Sequence, residues 1–217
     1  MRLVQYDIIL EKLKKEDIEL VRNWRNNPKI QDKMEFREYI SSDMQKEWFN
    51  KINNSNHYMY MLVYYKNKKI GLTNRNISNG NTESGLFIGD DQYWNSLVPI
   101  LIFLIASEVH FRLEGGENIY GKILKTNKNA ISFNKSLGFK LCDGQDENEN
   151  QLYCLKKEDY LKTYVKLKKY ITSYYNYSEP IKIIFEKEDY DQGVFDYFNE
   201  KFSNNILEND NFIIIMN

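Results

Sequence analysis

The chain has 217 residues, 42% of them hydrophobic and 28% charged, the makeup of a globular protein long enough for one large domain or a medium one with an appendage. Its 30 basic residues against 31 acidic ones give a formal net charge of −1, which excludes the overall field that draws a protein onto nucleic acid or an anionic membrane. Partners are therefore expected to be small or neutral.

Met1 to Asp7 lacks the apolar core and cleavage site of a signal peptide, so a cytoplasmic location is expected. Leu3 to Leu10 reads as a strand. Asp17 to Asn26, with Ile18, Val21 and Trp24 on one stripe, and Asp43 to Ile52, with Met44, Trp48 and Ile52, read as an early pair of helices. Tyr58 to Tyr65, Lys69 to Ile77 and Glu83 to Gly89 follow as strands of an antiparallel meander. Lys66-Asn67-Lys68 and Ser78-Asn79-Gly80-Asn81 supply the turn chemistry between them.

Leu97 to Ala106 is a continuous apolar run, but it contains Pro99 and is about half as long as a bilayer-spanning helix needs. It reads as the buried part of a helix over Ser96 to Leu113. A strand at Asn118 to Leu124 and a helix from Asn129 to Ser136 come next, closed by Gly138 in a left-handed conformation. Phe139 to Cys142 and Gln151 to Leu155 read as strands joined by an acidic loop. Cys142 and Cys154 are expected as reduced thiols on neighbouring strands, and with only His57 and His110 available they form no metal pattern.

Beyond Lys156 the composition changes. Lys157 to Tyr175 is a lysine- and tyrosine-rich helix, broken at Ser178-Glu179-Pro180. Ile181 to Phe185 and Phe212 to Met216 are apolar strand candidates around a helix near Tyr190 to Phe202. The predicted fold is α/β (α+β), a mixed, mainly antiparallel sheet flanked by helices. Residues 1–155 form the main domain, and residues 156–217 form a small α/β extension packed on it or on a second subunit, the latter implying a homodimer.

Asn127-Lys128-Asn129-Ala130-Ile131-Ser132-Phe133-Asn134-Lys135-Ser136-Leu137-Gly138-Phe139, placed after a strand, resembles the signature of the GNAT acetyltransferase superfamily. Trp24 to Pro28, Ser42 to Phe49 and Lys69-Ile70-Gly71 stand in the same order upstream. Together they are similar to the branch that acetylates amino groups of nucleotide-linked sugars and to its cousins that acetylate ribosomal protein termini. The resemblance covers residues 3 to 155.

What it implies is transfer of an acetyl group from acetyl-CoA to an amino group of a small acceptor. Such transfer needs the donor's pyrophosphate held, its carbonyl polarised and an uncharged amine aimed at that carbonyl. By the resemblance, Glu83 is the general base, against the plainer reading of an exposed strand-edge glutamate. Phe87, Ile88 and Gly89 offer main chain to the donor's pantetheine arm. Asn95, Ser96 and Leu97 form the turn that faces the pyrophosphate, and Asn127 and Asn134 hold the arm. Asn127 reads equally well as a helix cap. Trp24, Arg25 and Asn26 form an acceptor-side element, where an aromatic face and a guanidinium suit a nucleotide.

Two departures from the family are visible. Relatives carry two glycines in the pyrophosphate turn, whereas this chain reads Trp94-Asn95-Ser96-Leu97-Val98-Pro99, with Asn95 expected to take the first glycine's left-handed angles. Phe133 stands where many relatives have a tyrosine that protonates the departing thiolate. A non-catalytic module with a degenerate coenzyme A site is therefore one alternative, and acetylation of protein N-termini is another.

Overall fold

The computed structural model describes residues 1–53, 57–78, 81–205 and 211–216. It opens with β1 (Arg2–Gln5) and β2 (Ile8–Lys12), a hairpin where the sequence suggests one strand. The turn is imposed from far along the chain. Tyr6 sits at a left-handed φ of 52°; its N–H donates to Glu179 Oε2 at 2.5 Å, and its ring stacks on Tyr175 with centroids 4.4 Å apart.

Next come α1 (Ile18–Arg25), α2 (Pro28–Gln31) and α3 (Ser42–Asn53). Asn27 caps α2 by accepting from Lys29 N, and Ser41 Oγ accepts from Met44 N at the start of α3. β3 (Tyr58–Tyr65), β4 (Lys68–Ser78) and β5 (Asn81–Ile88) form the antiparallel meander. Lys66 and Asn67 both take left-handed angles, as a two-residue hairpin requires; Asn79 and Gly80, expected in the second turn, lie outside the described residues.

α4 (Val98–Glu108) starts two residues later than the sequence suggests, with Pro99 in its first turn. Its continuation, Val109 to Leu113, is a π turn rather than α-helix. There Val109 O accepts from Glu114 N, five residues on. β6 (Asn118–Leu124), α5 (Lys128–Ser136), β7 (Lys140–Leu141), β8 (Asn150–Lys156) and α6 (Lys157–Tyr175) follow. Gly138 closes α5 at φ 102°. The chain continues through β9 (Ile181–Phe185), α7 (Lys187–Asp191), α8 (Val194–Asn205) and β10 (Phe212–Met216).

Among the described residues all ten strands form one sheet, in the order β10-β9-β1-β2-β3-β4-β5-β6-β8-β7. The residues after 156 thus extend the main sheet: β9 pairs antiparallel with β1, and β10 runs parallel to β9. Period-two alternation splits the core between the two faces. Leu62 and Leu72 meet Val21 of α1 and Phe49 and Ile52 of α3 on one face. On the other, Val63, Ile70 and Ile88 meet α4, α6 and α8. No helix among the described residues is long and apolar enough to cross a membrane.

One buried carboxylate ties the last third of the chain to α4. Glu108, 3% exposed, accepts from the Tyr160 hydroxyl of α6, from Arg112 Nε at 3.0 Å and from Asn211 Nδ2 at 3.4 Å. Phe111 stacks on Tyr160 beside it, ring centroids 4.6 Å apart.

The π turn also buries His110. Its Nε2 lies 3.0 Å from the Asn118 carbonyl oxygen, so in the neutral ring that nitrogen carries the proton and donates it. Nδ1 is buried without a hydrogen-bond partner, 3.6 Å from Glu114 Oε2. Burial, with the nearby Arg75 charge adding to it, pushes the ring's pKa down to about 4. The folded state therefore binds fewer protons than the unfolded chain between pH ~6.5 and ~4, so stability is full above that window and falls as pH drops through it, by up to about 3 kcal/mol. Urea unfolding of wild type and His110→Gln across this range should show a flatter pH slope in the variant; equal slopes would clear His110 of the effect.

Candidate active site

The sheet is least continuous between β5 and β6. The two strands run parallel and pair only at Thr82↔Ile119 and Glu83↔Tyr120; beyond these a gap opens between Ser84–Ile88 and Gly121–Leu124. Main-chain alternation decides which groups of β5 face it. Gly89 N–H donates to Ile70 O at 2.7 Å, and Gly85 O accepts from Thr73 Oγ1 at 3.1 Å. Odd-numbered residues, Phe87 and Gly89 included, therefore direct their main-chain groups toward β4, and Ser84, Leu86 and Ile88 direct theirs into the gap. Of the three residues expected to present main chain to a donor, Ile88 directs its main chain into the gap, and its carbonyl already accepts the Trp94 indole N–H at 2.8 Å.

Trp94 thereby anchors the start of α4 at the gap's mouth. Asn95 and Ser96 are exposed, and Asn95 is absent from the residues with left-handed angles, contrary to the glycine-like role expected of it. Ser96 Oγ accepts from Val98 N–H at 3.2 Å. Pro99 has no N–H, and those of Ile100 and Leu101 both donate to Leu97 O at 3.1 Å. The helix start that should cradle a pyrophosphate has thus spent most of its donors internally.

Across the mouth, Asn127 caps α5, its Oδ1 accepting from Ala130 N at 3.3 Å. Asn134 Nδ2 donates to Ala130 O at 2.8 Å within the same helix. Phe133 packs against the core on the α4 side of the sheet.

On the opposite face, which α1 and α3 pack against, Tyr60, Asn74, Asn76 and Glu83 are half-buried and Lys122 is exposed. Here Tyr60 stands opposite Asn74 and Asn76 opposite Glu83. Asn74 lies over Gly85, where a Cβ would come within 2.8 Å of its Oδ1. Glu83 Oε2 is 3.1 Å from Lys122 Nζ, with the carboxylate side chain 39% exposed, open to water and to an incoming amine.

The α1 residues divide. Trp24 is packed into the fold: its ring meets Phe87 edge-on at 6.3 Å and covers Gly89, where a Cβ would come within 2.5 Å of it. Asn26 clasps the following loop, its Nδ2 donating to Ile40 O at 2.9 Å and its Oδ1 accepting from Ile40 N at 2.8 Å. Arg25 is different. Its Nε is buried without a hydrogen-bond partner, and it makes no ion pair with any described residue. Burial lowers its pKa, and the neighbouring group that offsets this most is Tyr60.

Sequence reasoning missed Tyr60, Asn74, Asn76 and Lys122. The signal was present: the face of β4 that carries Leu72 turns polar two and four residues on, at Asn74 and Asn76. Which face they share with Glu83 depends on strand register, and a single sequence does not reveal it.

A family model described as "Acetyltransferase (GNAT) domain" matches residues 7–140, more than half the chain, and the protein belongs to this family. Solved structures of similar fold include the Campylobacter jejuni N-acetyltransferase PseH (20% identity, 70% of this chain and 99% of that one, TM-score 0.53). The spermidine N-acetyltransferase of Vibrio cholerae, in complex with CoA and spermine, is similar at 20% identity over 71% of this chain and 98% of that one, TM-score 0.62. FdhC, described as a nucleotide-linked sugar GNAT, is similar at 19% identity over 75% and 97%, TM-score 0.61. No curated protein matches the sequence.

Asn26→Ala should cost about 1 kcal/mol, because the variant leaves the Ile40 N–H without its partner and the Ile40 carbonyl with Arg22 Nη1 alone, at 3.3 Å. Limited proteolysis should then cut between residues 32 and 41 sooner than in wild type; an unchanged cleavage rate would mean that the loop is held by other contacts.

Proposed function

We propose that this chain is an N-acetyltransferase that moves an acetyl group from acetyl-CoA to the amino group of a small acceptor carrying an anionic group, with a nucleotide-linked amino sugar as the best fit. The observation that carries the acceptor class is Arg25, a half-buried side chain on the same face as Glu83 whose Nε is buried without a hydrogen-bond partner and which makes no ion pair among the described residues. A partly desolvated cation without a counter-charge carries a cost, and a phosphate or carboxylate relieves it through bidentate contact. Tyr60, beside Arg25, and Glu83 stand two strands and two residues apart, roughly 12 Å, so one small molecule spans from the region of the guanidinium to the carboxylate.

The gap between β5 and β6 fits the slender arm of the donor, with Ser84, Leu86 and Ile88 main chain along one side. Coenzyme A supplies an activated thioester. Glu83, directly or through a water, takes the proton that the amine loses as its nitrogen bonds to the carbonyl carbon and the C–S bond breaks. Phe133 offers no proton to the departing thiolate. A thiol of reference pKa about 8.5 leaves without one at moderate cost.

A second reading, a binding module that holds the acceptor without catalysis, is favoured by the internally bonded start of α4. Calorimetry with acetyl-CoA separates the two. Donor binding at 100 times its dissociation constant should stabilise the fold by about 2.7 kcal/mol, and no binding at millimolar concentration would leave only the module. With an amino-sugar nucleotide as acceptor, Glu83→Gln should lower kcat about 100-fold or more while donor affinity stays the same. Arg25→Gln should raise KM for that acceptor about 30-fold, with little effect on an uncharged amino sugar. Equal effects on both acceptors would remove Arg25 from anion recognition.

A further inference from the structure

On the α4 side of the sheet, directly beneath the gap, lies a cavity of about 120 Å³ that the acetyltransferase reading does not use. Ser84 and Leu86 line it on the β5 side of the gap, with Ile119 from the paired step of β6, Phe139, Ala106 of α4 and Phe198 of α8, and polar groups, Arg75, His110 and Asn134 among them, interrupt its mainly apolar walls. It continues under α4 as far as Leu3, Leu10, Met59 and Met61. It meets the gap along Ser84 and Leu86 of β5, on the opposite sheet face from Glu83 and Lys122.

That position separates the two halves of the reaction. An amine approaching Glu83 comes from the α1 side. The amine attacks the face of the planar thioester carbonyl, so the acyl chain lies across the line of attack, free to turn past Ser84 and Leu86 to the α4 side. An acetyl group leaves most of the cavity unfilled, and an unfilled apolar cavity forfeits packing on every wall. A cavity of about 150 Å³ accepts benzene, so one of this size takes roughly four to five carbon atoms.

We infer that the acyl group transferred at this site is longer than acetyl: an unbranched chain of about four to six carbons, delivered as its coenzyme A thioester, with its carbonyl in the gap and its tail seated in the cavity beneath. The inference rests on the acyltransferase reading. The bonding change is that of acetyl transfer: the acceptor nitrogen bonds to the carbonyl carbon, the carbon–sulfur bond breaks, and the amine's proton is lost as the thiolate leaves. The cavity changes which thioester binds. Two methylenes buried beyond acetyl are each worth about fourfold in affinity, so butanoyl-CoA gains about 15-fold over acetyl-CoA. A chain too long for the space loses that gain.

Calorimetric titration of the full chain with coenzyme A and its acetyl, butanoyl and octanoyl thioesters tests this without an identified acceptor. The expected order is butanoyl tightest, by about 15-fold over acetyl, with octanoyl weaker than butanoyl. Ala106→Leu, which fills the cavity, should reduce the butanoyl-to-acetyl ratio to about one. Should that variant fail to fold, Phe198→Ala, which enlarges the cavity from α8, should move the optimum toward longer chains. Acetyl-CoA binding as tightly as butanoyl-CoA would overturn the inference and leave the acetyltransferase reading standing. Failure of every thioester to bind would overturn both.

Discussion

The whole arrangement depends on how briefly β5 and β6 are paired. Two residue pairs hold the strands together at Thr82 and Glu83, and then the ladder stops. Had it continued, Ser84, Leu86 and Ile88 would spend their main-chain groups on β6, and the sheet would be closed. The main-chain groups left over are polar and must find partners. Trp94 satisfies one of them through the Ile88 carbonyl, and the same contact fixes where α4 begins. A single interruption in the ladder thus creates the opening, positions the helix at its mouth, and leaves Glu83 at the last paired step.

Much of this was legible in the sequence, and the limits are instructive. β3, β6, α6, β9 and β10 have the bounds that alternation and apolar runs suggest. Local chemistry decides those elements. The turn at Tyr6-Asp7 was hidden because its stabilising partners, Glu179 and Tyr175, are remote and Tyr6, which takes the left-handed angle, is not a turn residue. Nothing within Ile181 to Phe185 indicates that it pairs with β1, since strand pairing is set by the edge that remains free and not by the strand's own residues.

The site shows the same division. Glu83, Arg25 and the Trp94 to Pro99 turn stand out by residue type, while the parity that turns Leu86 and Ile88 inward and Phe87 outward is a property of register. The two departures from the family that the sequence exposes have distinct structural outcomes. Phe133 is absorbed into packing. The turn before α4 is rebuilt around Ser96, whose hydroxyl accepts the N–H of Val98. Asn127 and Asn134 are likewise engaged within α5, so a donor that needs those amides must compete with bonds already made.

The docking of β9 onto β1 has a consequence for how the chain is made. Lys12, at the end of β2, bonds to Gln192, 180 residues away, and β1 itself pairs with Lys182 to Ile184. During synthesis the first hairpin emerges long before its neighbour, with the outer edge of β1 unpaired and Leu3 uncovered. An unpaired edge is a template for pairing with other chains, and contacts this distant in sequence form late. The ribosome-bound chain therefore passes through a prolonged interval in which its amino-terminal edge needs shielding, by a chaperone or by the rapid collapse of the meander beside it.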